Sequence, residues 1–233
     1  MIFERSAACY DALYARKDYE AEAATVARMV AERNPRARTL LDVACGSGRH
    51  LECLCRRYRV EGVDLSEGLL AIARARLPGV PLHRADMTDF ELGRRFDAVT
   101  CLFSAIGYVV SEERLRRALA TMARHLEPGG VLIVEPWFAP GVFEAGGPHA
   151  VFVDEPGLKL ARIGLNEVDG TLSTLDFHYL VGTPEGVEAF AERHELGLFT
   201  HEQYVEAFAA TGLQAEHDSD GLSGRGLYVA VRA

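Results

Sequence analysis

The sequence predicts an α/β protein: a mostly parallel, doubly wound sheet with an antiparallel strand at one edge, carrying a small antiparallel β-rich insertion. Three observations predict it. Up to residue 137, short apolar runs alternate with helical patterns, as parallel strands joined by crossover helices do. The first of those runs ends in a turn holding Gly46 and Gly48. After Trp137 the texture changes: Gly and Pro crowd residues 139–148, and two-residue alternation follows.

Strands are expected over 39–44 (TLLDVA), 59–65 (RVEGVDL), 80–86, 97–103 (DAVTCLF) and 130–137 (GVLIVEPW). Between the last two, residues 111–126 read as a helix: Ser111 supplies an N-cap, Glu112 and Glu113 an acidic first turn, and Leu115, Leu119 and Met122 one apolar face. Glu127, Pro128, Gly129 and Gly130 break it. Beyond residue 137, segments 158–165, 171–181 and 187–199 alternate as antiparallel strands, with Val168, Asp169 and Gly170 reading as a hairpin turn. Thr200 and Gln203 form a capping box opening a helix that Gly212 ends, and 213–219 and 227–232 close the chain as strands. The expected division is a core of 1–137 and 200–233 with an insertion of 138–199, which is long for a connection and therefore a candidate substrate lid.

At 233 residues and 25.5 kDa, with 48% hydrophobic and 25% charged residues, the chain can bury a core without disulfides or structural metals. A net charge of −9 and a pI near 5.4 argue against generic binding to nucleic acid or anionic membrane. No apolar run reaches the length of a membrane span, and MIFERSAACYD lacks the apolar stretch of a secretory leader. The cysteines Cys9, Cys45, Cys53, Cys55 and Cys101 are odd in number and show no CxxC pair, which fits reduced thiols in a cytoplasm. Cys53 and Cys55 follow His50, but a helix splays i and i+2 apart, so no metal is expected.

The strongest chemical signal is LLDVACGSGRHL, a buried strand ending in a glycine-rich turn that opens a helix, where Gly46 and Gly48 permit close approach of a ligand to the backbone. A purely structural turn is the alternative. Asp64 ends the next strand, placed to accept both hydroxyls of a ribose, with Leu65 beside it. A dinucleotide site would carry GxGxxG, and here the third glycine is missing. In HRADMTDF, Asp86 and Met87 follow the third strand and are placed for the edge and face of an adenine, with a helix N-cap as the alternative for Asp86.

This ordered set resembles the class I S-adenosylmethionine-dependent methyltransferases, which are Rossmann-like. Narrower features, YDALYARKDYEAEA, DVACGSGRHL, CLFSAIGY, VEPWF and SGRGLYV in that order, are similar to the TDP-aminosugar N,N-dimethyltransferases of antibiotic glycoside pathways. The resemblance spans nearly the whole chain. It implies N-methylation of a TDP-linked amino deoxysugar with S-adenosylmethionine as donor and S-adenosylhomocysteine as product, in a monomer or homodimer. It implies cofactor contacts for Tyr10, Tyr19, Ala44, Gly46, Gly48, Asp64, Leu65, Asp86, Met87 and Leu102. It also implies a pyrophosphate contact for Arg225 in Ser223-Gly224-Arg225, whose planar fork suits bidentate phosphate binding.

Trp137 and Phe138, at the end of the fifth strand, fall at the crevice of a doubly wound sheet, where aromatic walls suit a thymine or sugar face; core packing is the alternative. EPWF sits after the fifth strand and lacks the second proline of a D/NPPY motif, which disfavours nucleobase methylation. Tyr108, after SAIG, is the candidate for placing the amine, since a phenol with pKa about 10 is a poor base at neutrality. His178 in DFHYLV is a candidate sugar contact, against a packed or surface histidine. Departures from the family are a shorter segment between Tyr10 and Lys17, Ile2 where a tyrosine is common, and Phe138 in place of a second tryptophan. The alternatives are an O-methyltransferase on a sugar or small natural product, a nicotinamide-dependent oxidoreductase, and a non-catalytic S-adenosylmethionine-binding protein.

Overall fold

The computed structural model describes residues 3–233, so Ile2 lies outside the described residues. The chain enters through α1 (Tyr10–Leu13) and α2 (Tyr19–Arg33), then alternates β1 (Thr39–Val43), α3 (Arg49–Leu54), β2 (Arg59–Asp64), α4 (Glu67–Arg76), β3 (Leu82–Arg84), β4 (Phe96–Cys101), α5 (Glu112–Arg124) and β5 (Leu126–Val134). Four long strands follow, β6 (Gly146–Glu155), β7 (Leu158–Asp169), β8 (Leu172–Thr183) and β9 (Gly186–Gly197), and then α6 (His201–Ala209), β10 (Ala215–Asp218) and β11 (Leu227–Val231).

Seven strands make one sheet in the order β3-β2-β1-β4-β5-β11-β10. Pairing is parallel from β3 through β5, and β11 runs antiparallel to both of its neighbours. The antiparallel strand expected at one edge therefore lies one place in, between β5 and β10. All five residues of β1 are buried because helices cover both faces. Alternate side chains serve opposite cores: Leu41 and Val43 pack with Leu115, Leu119 and Met122 of α5 and Phe208 of α6, while Leu40 packs with Val26 and Val30 of α2 and Leu51 of α3.

Boundaries moved where local sequence was ambiguous. The third strand shrinks from 80–86 to Leu82–Arg84 because it lies at the sheet edge, paired with β2 alone. β5 starts at Leu126: Phe96 pairs with Leu126 and Ala98 with Val131, so Glu127–Gly130 is an irregularity within the ladder rather than a break before it.

β6 to β9 form a separate antiparallel meander in chain order. Its first strand begins inside the Gly/Pro-rich stretch, which hid it. Asp169 pairs with Leu172, so the turn is Gly170 and Thr171 rather than 168–170. On the inner face Leu160, Phe177, Tyr179 and Val181 pack with Cys9. The outer face exposes Phe152, Ile163, Leu180 and Val187.

Candidate functional site

The carboxyl ends of the parallel strands point one way, and strand order reverses between β1 and β4, where a doubly wound sheet opens a crevice. A cavity of about 710 Å³ opens there, lined jointly by these strand ends and by the inner face of β7 to β9. Backbone strain marks its rim: Ala44 after β1 and Phe103 and Ser104 after β4 hold φ of 59°, 53° and 57°. Each costs about 1 to 3 kcal/mol, so the surrounding packing must over-determine these turns.

Ala44, Gly46, Asp64, Leu65, Asp86, Met87 and Leu102 line this cavity, as do Tyr10, Tyr108, Trp137, Phe138 and Arg225. The Asp64 carboxylate accepts the Gly46 N–H at 2.7 Å and the Ser66 N–H at 2.8 Å, so it organises the glycine turn as well as facing the cavity. Burial raises its pKa above the ordinary value, against the pull of these N–H groups. Leu65 presents apolar surface, 53% exposed.

Asp86 faces the cavity but is already engaged: it accepts the Thr88 N–H and hydroxyl, each at 2.8 Å, and pairs with Arg114 at 2.9 Å. Burial works to raise its pKa, yet the Thr88 N–H and the Arg114 guanidinium hold it below the usual range. It forms an Asx turn rather than a helix N-cap.

Four sequence candidates stand outside the lining. Gly48 caps α3 with φ of +79°, and a Cβ there would meet Leu77 at 3.1 Å and Ala73 at 3.2 Å, so this glycine serves the approach of α3 to α4 rather than a ligand. Tyr19 is buried behind the wall, its ring 4.9 Å from that of His50 and its hydroxyl without a hydrogen-bond partner. Ser223 donates its hydroxyl to Glu135. His178 is exposed, because on β8 the inward residues are Leu175, Phe177 and Tyr179 and a two-residue period sends it to the other face.

Two histidines reach the cavity, His149 on β6 and His194 on β9, and His194 pairs with Leu175 in the register. The His194 Nδ1 lies 2.9 Å from the Tyr108 hydroxyl, and its Nε2 lies 3.6 Å from Glu192. Gly107 places Tyr108: a Cβ at that position would meet Trp137 at 2.9 Å. Burial pushes the Tyr108 phenol well above its ordinary range.

Three guanidinium groups line the cavity: Arg114, paired with Asp86, and Arg162 and Arg225 at the aromatic wall, which differ in pairing. Arg225 meets Glu135 at 3.1 Å and donates to the Ser104 hydroxyl at 2.7 Å, with the Trp137 and Phe138 rings each 5.8 Å away. Arg162 on β7 is 7% exposed, lies 4.4 Å over the Phe177 ring and donates to Tyr14, and among the described residues it meets no carboxylate within ion-pair distance. Its Nε is buried without a partner. No group of three or more His, Cys, Asp or Glu side chains among the described residues is placed to hold a metal.

A methyltransferase domain family matches residues 40–130. The chain is 45% identical, over 93% of its own length and 92% of the relative's, to the dTDP-3-amino-3,4,6-trideoxy-alpha-D-glucopyranose N,N-dimethyltransferase of Streptomyces venezuelae. It is 39% identical, over 96% and 91%, to the dTDP-4-amino-2,3,4,6-tetradeoxy-D-glucose N,N-dimethyltransferase of Saccharopolyspora spinosa. Among solved structures, Streptomyces venezuelae DesVI superposes with a TM-score of 0.91 at 42% identity, covering 100% of both chains. This chain belongs to the TDP-aminosugar N,N-dimethyltransferases.

In this aminosugar dimethyltransferase family member, Tyr14, Phe103, Arg162, Phe177, Tyr179 and His194 also line the cavity, and sequence reasoning missed them. A signal existed for two. Arg162 interrupts the apolar parity of LKLARIG, and His194 alternates with Leu196 on the buried parity of the last long strand.

Proposed function

We propose that the chain is an S-adenosylmethionine-dependent N-methyltransferase acting on the amino group of a TDP-linked amino deoxysugar in antibiotic glycoside biosynthesis. The observation that carries this reading is that one cavity joins the Asp64 carboxylate and glycine turn of the strand ends to an aromatic wall with two guanidinium groups, Arg162 and Arg225. The first part fits a nucleoside-type cofactor: an acidic acceptor for a ribose diol, open backbone at Gly46, and apolar Leu65, Met87 and Leu102 beside it. The second part fits a thymidine diphosphate, with planar cations for phosphate and rings for the base or sugar. Asp86 lies at the adenine end, and Trp137, Phe138 and Arg225 at the nucleotide-sugar end.

When bound, S-adenosylmethionine supplies an electrophilic sulfonium methyl, which an amine lone pair takes as the carbon–sulfur bond breaks. The protein's share is placement, worth on the order of 7 to 11 kcal/mol when attacking and leaving atoms are held in line. Tyr108 contacts the amine, and Phe3 and Tyr10, with ring centroids 5.4 Å apart, pack over the cavity to limit water. The ammonium proton left after transfer goes to water. An O-methyl acceptor would need its hydroxyl deprotonated, a task unsuited to Tyr108 with its raised pKa.

No helix among the described residues is long and apolar enough to cross a membrane. A cytoplasmic placement, a core with a substrate-binding insertion over 138–199, and a monomer or homodimer belong to the same reading. The test is mass spectrometry after incubation with S-adenosylmethionine and a panel of TDP-3-amino and TDP-4-amino deoxysugars. Gains of one or two methyls are expected, and no gain on any sugar despite measured cofactor binding overturns the substrate assignment.

A further inference from the structure

We infer that His194 and Glu192 are positioning residues that turn the hydroxyl hydrogen of Tyr108 away from the cavity, so that its oxygen meets the substrate amine only as an acceptor. The inference rests on the reading of Tyr108 as the amine-contacting group.

An amine nucleophile has one lone pair. A hydroxyl hydrogen aimed at that pair occupies it in a hydrogen bond and blocks attack, whereas an oxygen that accepts an amine N–H leaves the pair free for the methyl carbon. Which role Tyr108 plays is therefore decided by where its own hydrogen goes.

That hydrogen is inferred to lie on His194, whose Nε2 is buried without a hydrogen-bond partner. The imidazole is 1% exposed, and its Nδ1 lies 2.9 Å from the Tyr108 hydroxyl. For Nδ1 to accept, the ring proton must sit on Nε2. Glu192 Oε2 lies 3.6 Å from Nε2, too far for a hydrogen bond but close enough for its charge to favour the proton there. That carboxylate is anchored from the other side of the cavity mouth: it accepts the Arg5 N–H at 2.9 Å, the Ser6 N–H at 3.1 Å and the Ser6 hydroxyl. The rings of Phe3 and Phe177, with centroids 4.8 Å and 5.3 Å from that of His194, exclude water that would compete for Nδ1. Glu192 and His194 are two apart on β9, so both project from its cavity-facing side. No proton is transferred along this chain of groups.

Nitrogen-15 NMR of histidine-labelled protein reads the tautomer with no substrate or cofactor present, so its outcome is independent of the aminosugar assignment. The expected result is His194 protonated at Nε2 with Nδ1 accepting, and a shift of the Nδ1 signal in Tyr108→Phe. A ring protonated at Nδ1 alone overturns the inference. In turnover, His194→Leu is expected to lower kcat about tenfold with KM for S-adenosylmethionine unchanged, the loss of one hydrogen bond's worth of placement. His194→Asn, whose Oδ1 can take the place of Nδ1, restores most of it. Tyr108→Phe combined with His194→Leu is no slower than the slower single variant, because both remove one interaction. Unchanged kcat in His194→Leu, or additive losses in the double variant, overturns the inference.

Discussion

The Arg225 guanidinium lies 3.1 Å from the fully buried carboxylate of Glu135, which also accepts the Phe103 N–H at 2.6 Å and the Ser223 hydroxyl. The arginine offered for phosphate is thus also the partner of a buried charge, and it ties the segment before β11 to the ends of β4 and β5. Arg225→Met leaves Glu135 without its counter-charge and should cost about 3 kcal/mol of stability as well as nucleotide-sugar affinity. Adding Glu135→Gln should recover stability in denaturant titration but not the KM for nucleotide sugar. Recovery of both would assign Arg225 a structural role alone.

Asp64 carries a similar double duty. Asp64→Ala removes the acceptor of the Gly46 and Ser66 N–H groups along with the ribose acceptor. Affinity for S-adenosylmethionine should fall at least tenfold by calorimetry, with a smaller loss of thermal stability of about 1 to 2 kcal/mol. Unchanged affinity would contradict the ribose assignment.

Gly48 separates packing from binding. Gly48→Ala forces a side chain into left-handed backbone and against Leu77 and Ala73, so melting temperature should drop by an amount equivalent to about 1 to 2 kcal/mol. Cofactor affinity of the folded protein should stay within about twofold of wild type, because the Cβ points toward α4 and not the cavity.

Glu192 makes acid stability measurable. Burial alone would raise its pKa, but His194, the Ser6 hydroxyl and the N–H groups of Ser6 and Arg5 outweigh that and bring it from 4.5 to about 2. A carboxylate with a lowered folded pKa stabilises the fold above its unfolded value and loses that contribution as pH falls through the folded one. Stability is therefore lost between about pH 4.5 and pH 2, a contribution of about 3 kcal/mol at neutrality. Glu192→Gln should lower the melting temperature at pH 7 and flatten this acid limb. An acid limb as steep as wild type would show that another group titrates there.

Periodicity alone could not choose between His178 and His194. Both sit in alternating segments, and alternation says that two faces exist without saying which one is covered. The pairing of Leu175 with His194, and of Arg162 with Tyr179, decides it by placing these residues on the face that the N-terminal segment and the sheet ends enclose. Gly48 stands outside the lining for a related reason: the GSG spacing marks a tight turn, but the neighbours that crowd Gly48, Ala73 in α4 and Leu77 just after it, lie 25 and 29 residues further along the chain.

By itself the sequence determined the order of strands and crossover helices, the glycine turn, the acid at the end of the second strand and the family to which these belong, because each depends on residues close together in the chain. Only the tertiary structure decided that Arg225 is paired while Arg162 meets no carboxylate among the described residues, that Tyr108 is bonded to His194, and that β11 lies inside β10 rather than at the edge. These relationships join residues 86 or more positions apart or depend on sheet register, and local pattern carries no information about which distant side chain neutralises a charge or accepts a hydrogen.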